Sequence, residues 1–172
     1  FSGCNMKCVF CQNKEISTGG FGKEITVERL AQIFLELQEK GALNINLVTP
    51  THYTLQIIDA VKLAKAKGLK LPIVYNTSSY EKVETIKLLA DVVDIWLPDF
   101  KYMDNNAAQR YSKASDYVEN AKTAIDEMVR QQPKCVFTKD GMLLRGVVVR
   151  HMLLPGQRKR FCQAHPTESV LC

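Results

Sequence analysis

The stretch FSGCNMKCVFCQN sets Cys4, Cys8 and Cys11 in a C-x-x-x-C-x-x-C array, three thiols within eight residues. As thiolates such groups ligate soft metals or exchange disulfides. A structural zinc site takes four protein ligands, commonly from two paired knuckles. Here Cys8 and Cys11 make one C-x-x-C knuckle, no second one exists, and His52 would join only by an accident of folding. A redox pair would employ Cys8 and Cys11 and leave Cys4 idle. Four-iron clusters are ordinarily held by four Cys. Three would leave one iron open to an exogenous ligand, and chemistry would occur there. The remaining thiols, Cys135, Cys162 and Cys172, follow no ligand spacing.

Elements must bring partners to that loop, and the chain after Thr26 supplies them in alternation. Val27, Leu30, Ile33, Phe34 and Leu37 share one face of a helix, with Thr26 as its cap and Gly41 as its stop. Asn44 to Thr49 reads as a strand. Leu55, Ile58, Val61 and Ala64 mark a second helix ending at Gly68, and Pro72 to Asn76 a second strand. A third helix carries Val83, Ile86 and Leu89, a third strand runs from Val92 to Phe100, and a longer helix carries Val118, Ala121, Ile125, Met128 and Val129. VFTKDGML then reads as a hairpin turned at Asp140-Gly141, and Gly146 to Leu154 as one more buried strand. Such repetition implies an α/β fold, a parallel sheet covered by helices. Ligands in such sheets bind at the carboxyl ends of the strands. Those ends are TPTHY (49–53), YNTSS (75–79), PDFK (98–101) and RHMLLPG (150–156), all polar and crowded with Thr, Asn, Asp, Lys, Arg and His. The opposite ends, near Lys40 and Lys67, are plain helix stops.

Composition narrows the classes. The 172 residues suffice for one domain with a sizeable core, and 46% hydrophobic with 24% charged residues is ordinary for a soluble globular protein. No apolar run is long enough to cross a bilayer. Phe1 does not open a basic-then-apolar leader, and the chain lacks an initiating Met, so a fragment without its first strand is expected. The net charge of +5 comes mostly from Lys and Arg alternating with acids on helix surfaces, which describes a solvated face rather than a nucleic-acid groove. The one dense basic run is Gln157-Arg158-Lys159-Arg160. Clustered thiols in a chain of this size point to the cytoplasm rather than to a disulfide scaffold.

FSGCNMKCVFCQN, with the aromatic Phe10 just before the last Cys, resembles the cluster loop of the radical S-adenosyl-L-methionine (SAM) superfamily. NINLVTPTHY, PIVYNTSSYEKVETIKLL, VDIWLPDFKYMD and RGVVVRHMLLPG resemble its pyruvate formate-lyase activating enzyme-like subgroup. The resemblance covers residues 1–156 as a radical SAM core and leaves 157–172 as an atypical tail. It implies a partial (βα)6 barrel, with its first and last strands missing. It implies a [4Fe-4S] cluster on Cys4, Cys8 and Cys11, and SAM on the open iron. Reductive cleavage would yield methionine and a 5′-deoxyadenosyl radical. Most relatives hold the SAM amino group with a Gly-Gly-Glu motif; here Thr49-Pro50-Thr51-His52 stands there, leaving backbone carbonyls and the Thr51 hydroxyl for that contact. Asp99-Phe100-Lys101 resembles the family's Asp-x-Lys, whose Lys pairs with the SAM carboxylate, and Arg150 matches an arginine on the same carboxylate. Asn76 and Thr77 match polar positions near SAM or a monovalent cation, while His52 and His151 are expected to be structural. The subgroup further implies an electron donor such as flavodoxin or ferredoxin and a protein substrate receiving a glycyl radical, with no nucleic acid or membrane partner. The alternative is a truncated, catalytically impaired module that binds the cluster or zinc.

Overall fold

The computed structural model describes residues 1–152 and 154. In chain order the elements are α1 (Lys14–Ser17), α2 (Val27–Glu39), β1 (Ile45–Val48), a 3-10 turn (Thr51–Tyr53), α3 (Thr54–Ala66), β2 (Ile73–Thr77), α4 (Val83–Leu88), β3 (Ile95–Phe100), α5 (Asn105–Ser112), α6 (Tyr117–Gln131), β4 (Val136–Phe137), β5 (Leu143–Val147) and β6 (Arg150–His151). Strands β1, β2, β3 and β5 lie side by side and parallel, β4 joins β5 antiparallel, and β6 continues along β3. This is the expected α/β architecture, an open, mostly parallel sheet flanked by helices.

Pleating divides the sheet into two unlike faces. Ile45 and Leu47 of β1, Ile73 and Tyr75 of β2, Trp96 of β3 and Val147 of β5 share a buried core with Phe34, Ile57, Val61, Ile86 and Met128 of the helices. Their strand neighbours Asn46 and Val48 are exposed on the opposite face. Hydrophobic burial on one side only is what the alternating polarity of β1 encodes.

Three expectations need adjustment. The third strand starts at Ile95 rather than Val92, because Val92 and Val93 close the turn after α4 and their amides bond the Leu89 carbonyl. The last strand begins at Leu143, doubles as the second arm of the hairpin, and breaks between β5 and β6 while holding one register against β3. It does not stay buried: Arg150 is exposed. Gly146 is required in it, since a Cβ would come within 2.6 Å of the Cys135 sulfur. The hairpin turns as expected, with Gly141 at φ 80°. Helix α5 has no counterpart among the expected elements. It starts at Asp104, whose side chain accepts from the Ala107 amide (2.9 Å), and ends on a left-handed Lys113 instead of a glycine. Pro155, Gly156, Cys162, Cys172 and the 157–172 tail lie outside the described residues.

Candidate active site

The cysteine loop is seated on α5 and α6. Met6, 2% exposed, enters a second core with Phe100, Tyr102, Ala108, Tyr117 and Ala121, and Cys4, Cys8 and Phe10 pack against it. The amides of Lys7 and Val9 donate to the carbonyls of Ser112 and Tyr111 at the end of α5, both at 2.9 Å. The Ser112 hydroxyl donates to the Cys8 sulfur (3.0 Å) and receives a hydrogen bond from Tyr102, whose phenol burial pushes up to about 12. The Met6 amide donates to Cys4 (3.4 Å), and Cys11 and Ser17 share a hydrogen bond (3.4 Å). Burial raises the Cys4 thiol; the Met6 amide opposes this, Cys8 and Cys11 add to it, and Lys101 lowers it. Among the described residues, no three His, Cys, Asp or Glu side chains gather closely enough to hold one metal ion.

The loop meets the carboxyl ends of the strands. The Tyr53 hydroxyl donates to the Ser2 carbonyl (2.9 Å), Asn5 donates to the Tyr80 carbonyl (2.5 Å), and a Cβ on Gly3 would lie 3.6 Å from the His52 ring. The strand-end residues singled out from sequence fall into two hydrogen-bonded groups rather than a single one. On the open face of the sheet, Arg150 donates to Asp99 and to Asn76 (both 2.7 Å), and Lys101 donates to the second oxygen of Asp99. Asp99 thus holds two cations side by side. Thr77 is the strand neighbour of Asn76, so pleating sends it to the other face. There Thr77 and Thr51 donate to one oxygen of Glu81 at 2.7 and 2.6 Å, joined by the Tyr75 hydroxyl at 3.3 Å.

Glu81 and Tyr117 were not legible as site residues. Glu81 is 4% exposed, and burial raises its carboxyl above the ordinary range against the pull of the hydroxyls. Its only signal is a lone acid four residues beyond a strand end. Tyr117, fully buried at the start of α6, accepts from the Lys101 amide (2.8 Å) and shares its proton between the carbonyls of Ser78 (2.8 Å) and Asp99 (2.7 Å). It ties the ends of β2 and β3 together, and no sequence pattern marks it. Strained backbone collects at the same rim: Thr49 and Ser79 are non-glycine residues at φ 50° and 65°. Thr49, which opens the Thr49-Pro50-Thr51-His52 stretch, thus takes a left-handed turn without being a glycine.

The chain is similar to known proteins. The Radical SAM superfamily model matches residues 1–158. An uncharacterised protein of Methanocaldococcus jannaschii is 31% identical over 166 residues, covering 90% of this chain and 43% of that protein. The chain therefore spans less than half the length of this curated relative. The solved structure of native anSMEcpe with bound AdoMet shares the fold with a TM-score of 0.50 at 14% identity, over 76% of this chain and 38% of that one.

Proposed function

The chain belongs to the radical SAM superfamily, and from that premise we propose that Cys4, Cys8 and Cys11 hold a [4Fe-4S] cluster beside a SAM site at the carboxyl ends of the strands. When bound, a four-iron cluster with one iron free of protein ligands supplies a single electron to the sulfonium, releasing methionine and a 5′-deoxyadenosyl radical. The chain's own groups do the holding. Lys101 and Arg150, paired through Asp99, offer two cations to a carboxylate, and Asn76 orients the Arg150 guanidinium. Thr51, on the turn that touches the cysteine loop, offers its hydroxyl oxygen to the ammonium. Thr77 keeps the end of β2 in place through Glu81. The observation that carries this assignment is the seating of the cysteine loop on the strand ends, where the Tyr53 hydroxyl donates to the Ser2 carbonyl and Asn5 to the Tyr80 carbonyl. It brings the proposed metal ligands to the end of the sheet where Lys101 and Arg150 meet Asp99.

As the finer function we propose hydrogen abstraction from a protein partner of the glycyl-radical kind, with electrons from a flavodoxin or ferredoxin. The subgroup-like stretches around Asn76, Asp99 and Arg150 support it. Anaerobic reconstitution with iron and sulfide, followed by absorption spectra and an assay for 5′-deoxyadenosine, tests the assignment. A broad iron–sulfur absorption that Cys8→Ala abolishes together with SAM cleavage is expected. Tight zinc binding without iron–sulfur absorption would overturn it.

A further inference from the structure

The electron that reductive cleavage requires must reach the cysteine loop from outside the chain, and one flank of that loop is built to receive a partner. Two main-chain hydrogen bonds lay the loop along the end of α5: the Lys7 amide donates to the Ser112 carbonyl and the Val9 amide to the Tyr111 carbonyl. They set Lys7 beside Lys113, and Val9 beside Tyr111 and Arg110. All three cations are exposed. The Arg110 guanidinium lies over the Tyr111 ring, 5.2 Å from its centroid, which restrains the long side chain. Lys113 ends α5 at φ 57°, so a cation stands where the backbone favours glycine. The salt bridges among the described residues join Arg29 to Glu36, Lys101 and Arg150 to Asp99, and Arg130 to Glu127; Lys7, Arg110 and Lys113 are in none of them. Asp116, the next acid in the chain after Lys113, accepts from the Tyr80 hydroxyl instead. On the same flank Val9 is 71% exposed. An apolar centre rimmed by uncompensated charge has the anatomy of a protein-binding patch. Its position is equally specific, because Ser112, between Tyr111 and Lys113, donates to the Cys8 sulfur (3.0 Å).

We infer that Lys7, Val9, Arg110 and Lys113 form the docking surface for an acidic one-electron carrier protein, which would face Cys8. This rests on the cluster assigned above to Cys4, Cys8 and Cys11. Complementary charge steers the encounter and fixes the orientation in which the carrier arrives. The patch is small, which suits electron transfer, where contacts are weak and the spent carrier must leave. A lipid surface or a phosphate backbone is bound by longer basic clusters. One electron leaves the carrier, which is oxidised, for the cluster, which is reduced; no bond forms or breaks and no proton moves.

The test is calorimetric binding of an acidic flavodoxin, in its oxidised form, to the anaerobically reconstituted full chain. It is paired with stopped-flow spectra of the cluster as reduced flavodoxin is added. A basic cytochrome c is the opposite-charge control, and a photoreduced deazaflavin, too small to need a docking surface, reports whether the cluster loop is intact. Arg110→Glu combined with Lys113→Glu should weaken flavodoxin binding by roughly tenfold or more and slow reduction by flavodoxin in proportion. The rate with deazaflavin should stay within about twofold of the parent. Raising salt from about 0.05 to 0.5 M should weaken binding to the parent and not to the double variant. Val9→Asp should weaken flavodoxin binding as well. Flavodoxin binding unchanged in the double variant overturns the proposal, as does a parent that binds cytochrome c as tightly as flavodoxin. Equal slowing with flavodoxin and deazaflavin marks a merely structural role and overturns it too. So does a parent that ignores flavodoxin and uses these residues to bind anionic vesicles or a second copy of itself. Should the double variant fail to fold, Lys7→Gln and Arg110→Gln decide by the same comparison of flavodoxin with deazaflavin. A chain that takes up no cluster removes the function assigned above, and calorimetry with the two carriers then still decides the docking surface.

Discussion

Lys101 and Arg150 reach the same carboxylate of Asp99 but not with the same exposure, and that difference predicts unequal roles. The Lys101 side chain is 15% exposed and the Arg150 side chain 45%, against 19% for Asp99. At an effective dielectric of about 20, two unit charges about 4 Å apart attract by about 4 kcal/mol. Part of that is lost to desolvation, and a charge-assisted hydrogen bond from a sheltered group nets about 1.5–3 kcal/mol. For Lys101 this converts to a roughly ten- to hundredfold contribution to SAM affinity. Arg150 is screened by water, so about 0.2–1 kcal/mol applies, a factor of up to about five. Lys101→Ala leaves Asp99 paired with Arg150 at 2.7 Å, so no carboxylate is orphaned and the fold should survive. The thiolates are untouched, and the cluster spectrum should be preserved. The assay is anaerobic SAM titration into cluster-loaded Lys101→Ala and Arg150→Ala, read by that spectrum. Unchanged SAM affinity in Lys101→Ala, or a larger loss in Arg150→Ala, refutes the reasoning.

Tyr117→Phe strands the Lys101 amide and two carbonyls, so stability should fall by about 1–3 kcal/mol. Thermal melts should then shift down by several degrees, about 2–4 °C for each kcal/mol. An unshifted melt would show that the phenol is dispensable. Ser112→Ala removes the donor to the Cys8 sulfur. A bond favouring the reduced cluster by about 1 kcal/mol corresponds to about 40 mV, so the midpoint in a redox titration should become more negative by that amount. Burial raises the Glu81 carboxyl above its ordinary 4.5, so the folded chain keeps a proton that the unfolded chain releases. That contribution to stability is complete below the unfolded pKa and is lost as pH rises through the folded one. Melts of Glu81→Gln should lack this loss, and matching pH profiles for the two proteins would disprove it.

Much of the architecture was determined by local pattern. Amphipathic periods in α2, α3 and α6 and β-branched runs in β1 to β3 commit these segments to helix or strand, because each must bury one face. Cysteine spacing likewise singled out the loop, and polar strand ends singled out the rim that it meets. Helix α5 escaped because its Ala pair and Asp104 cap give it little apolar signal, although the cap could have been read. Tertiary structure alone decided which residues act together. Asn76 and Thr77 are neighbours in the chain, yet pleating sends one to the cations of Asp99 and the other to Glu81. Thr51 meets Glu81 across 30 residues, Arg150 meets Asn76 across 74, and Ser112 meets Cys8 across 104. Hydrogen bonds of that range leave no periodic trace, since they depend on which strand lies beside which. Sequence pattern reports what each segment must hide from water, and only the packed sheet reports which polar groups are then left facing one another.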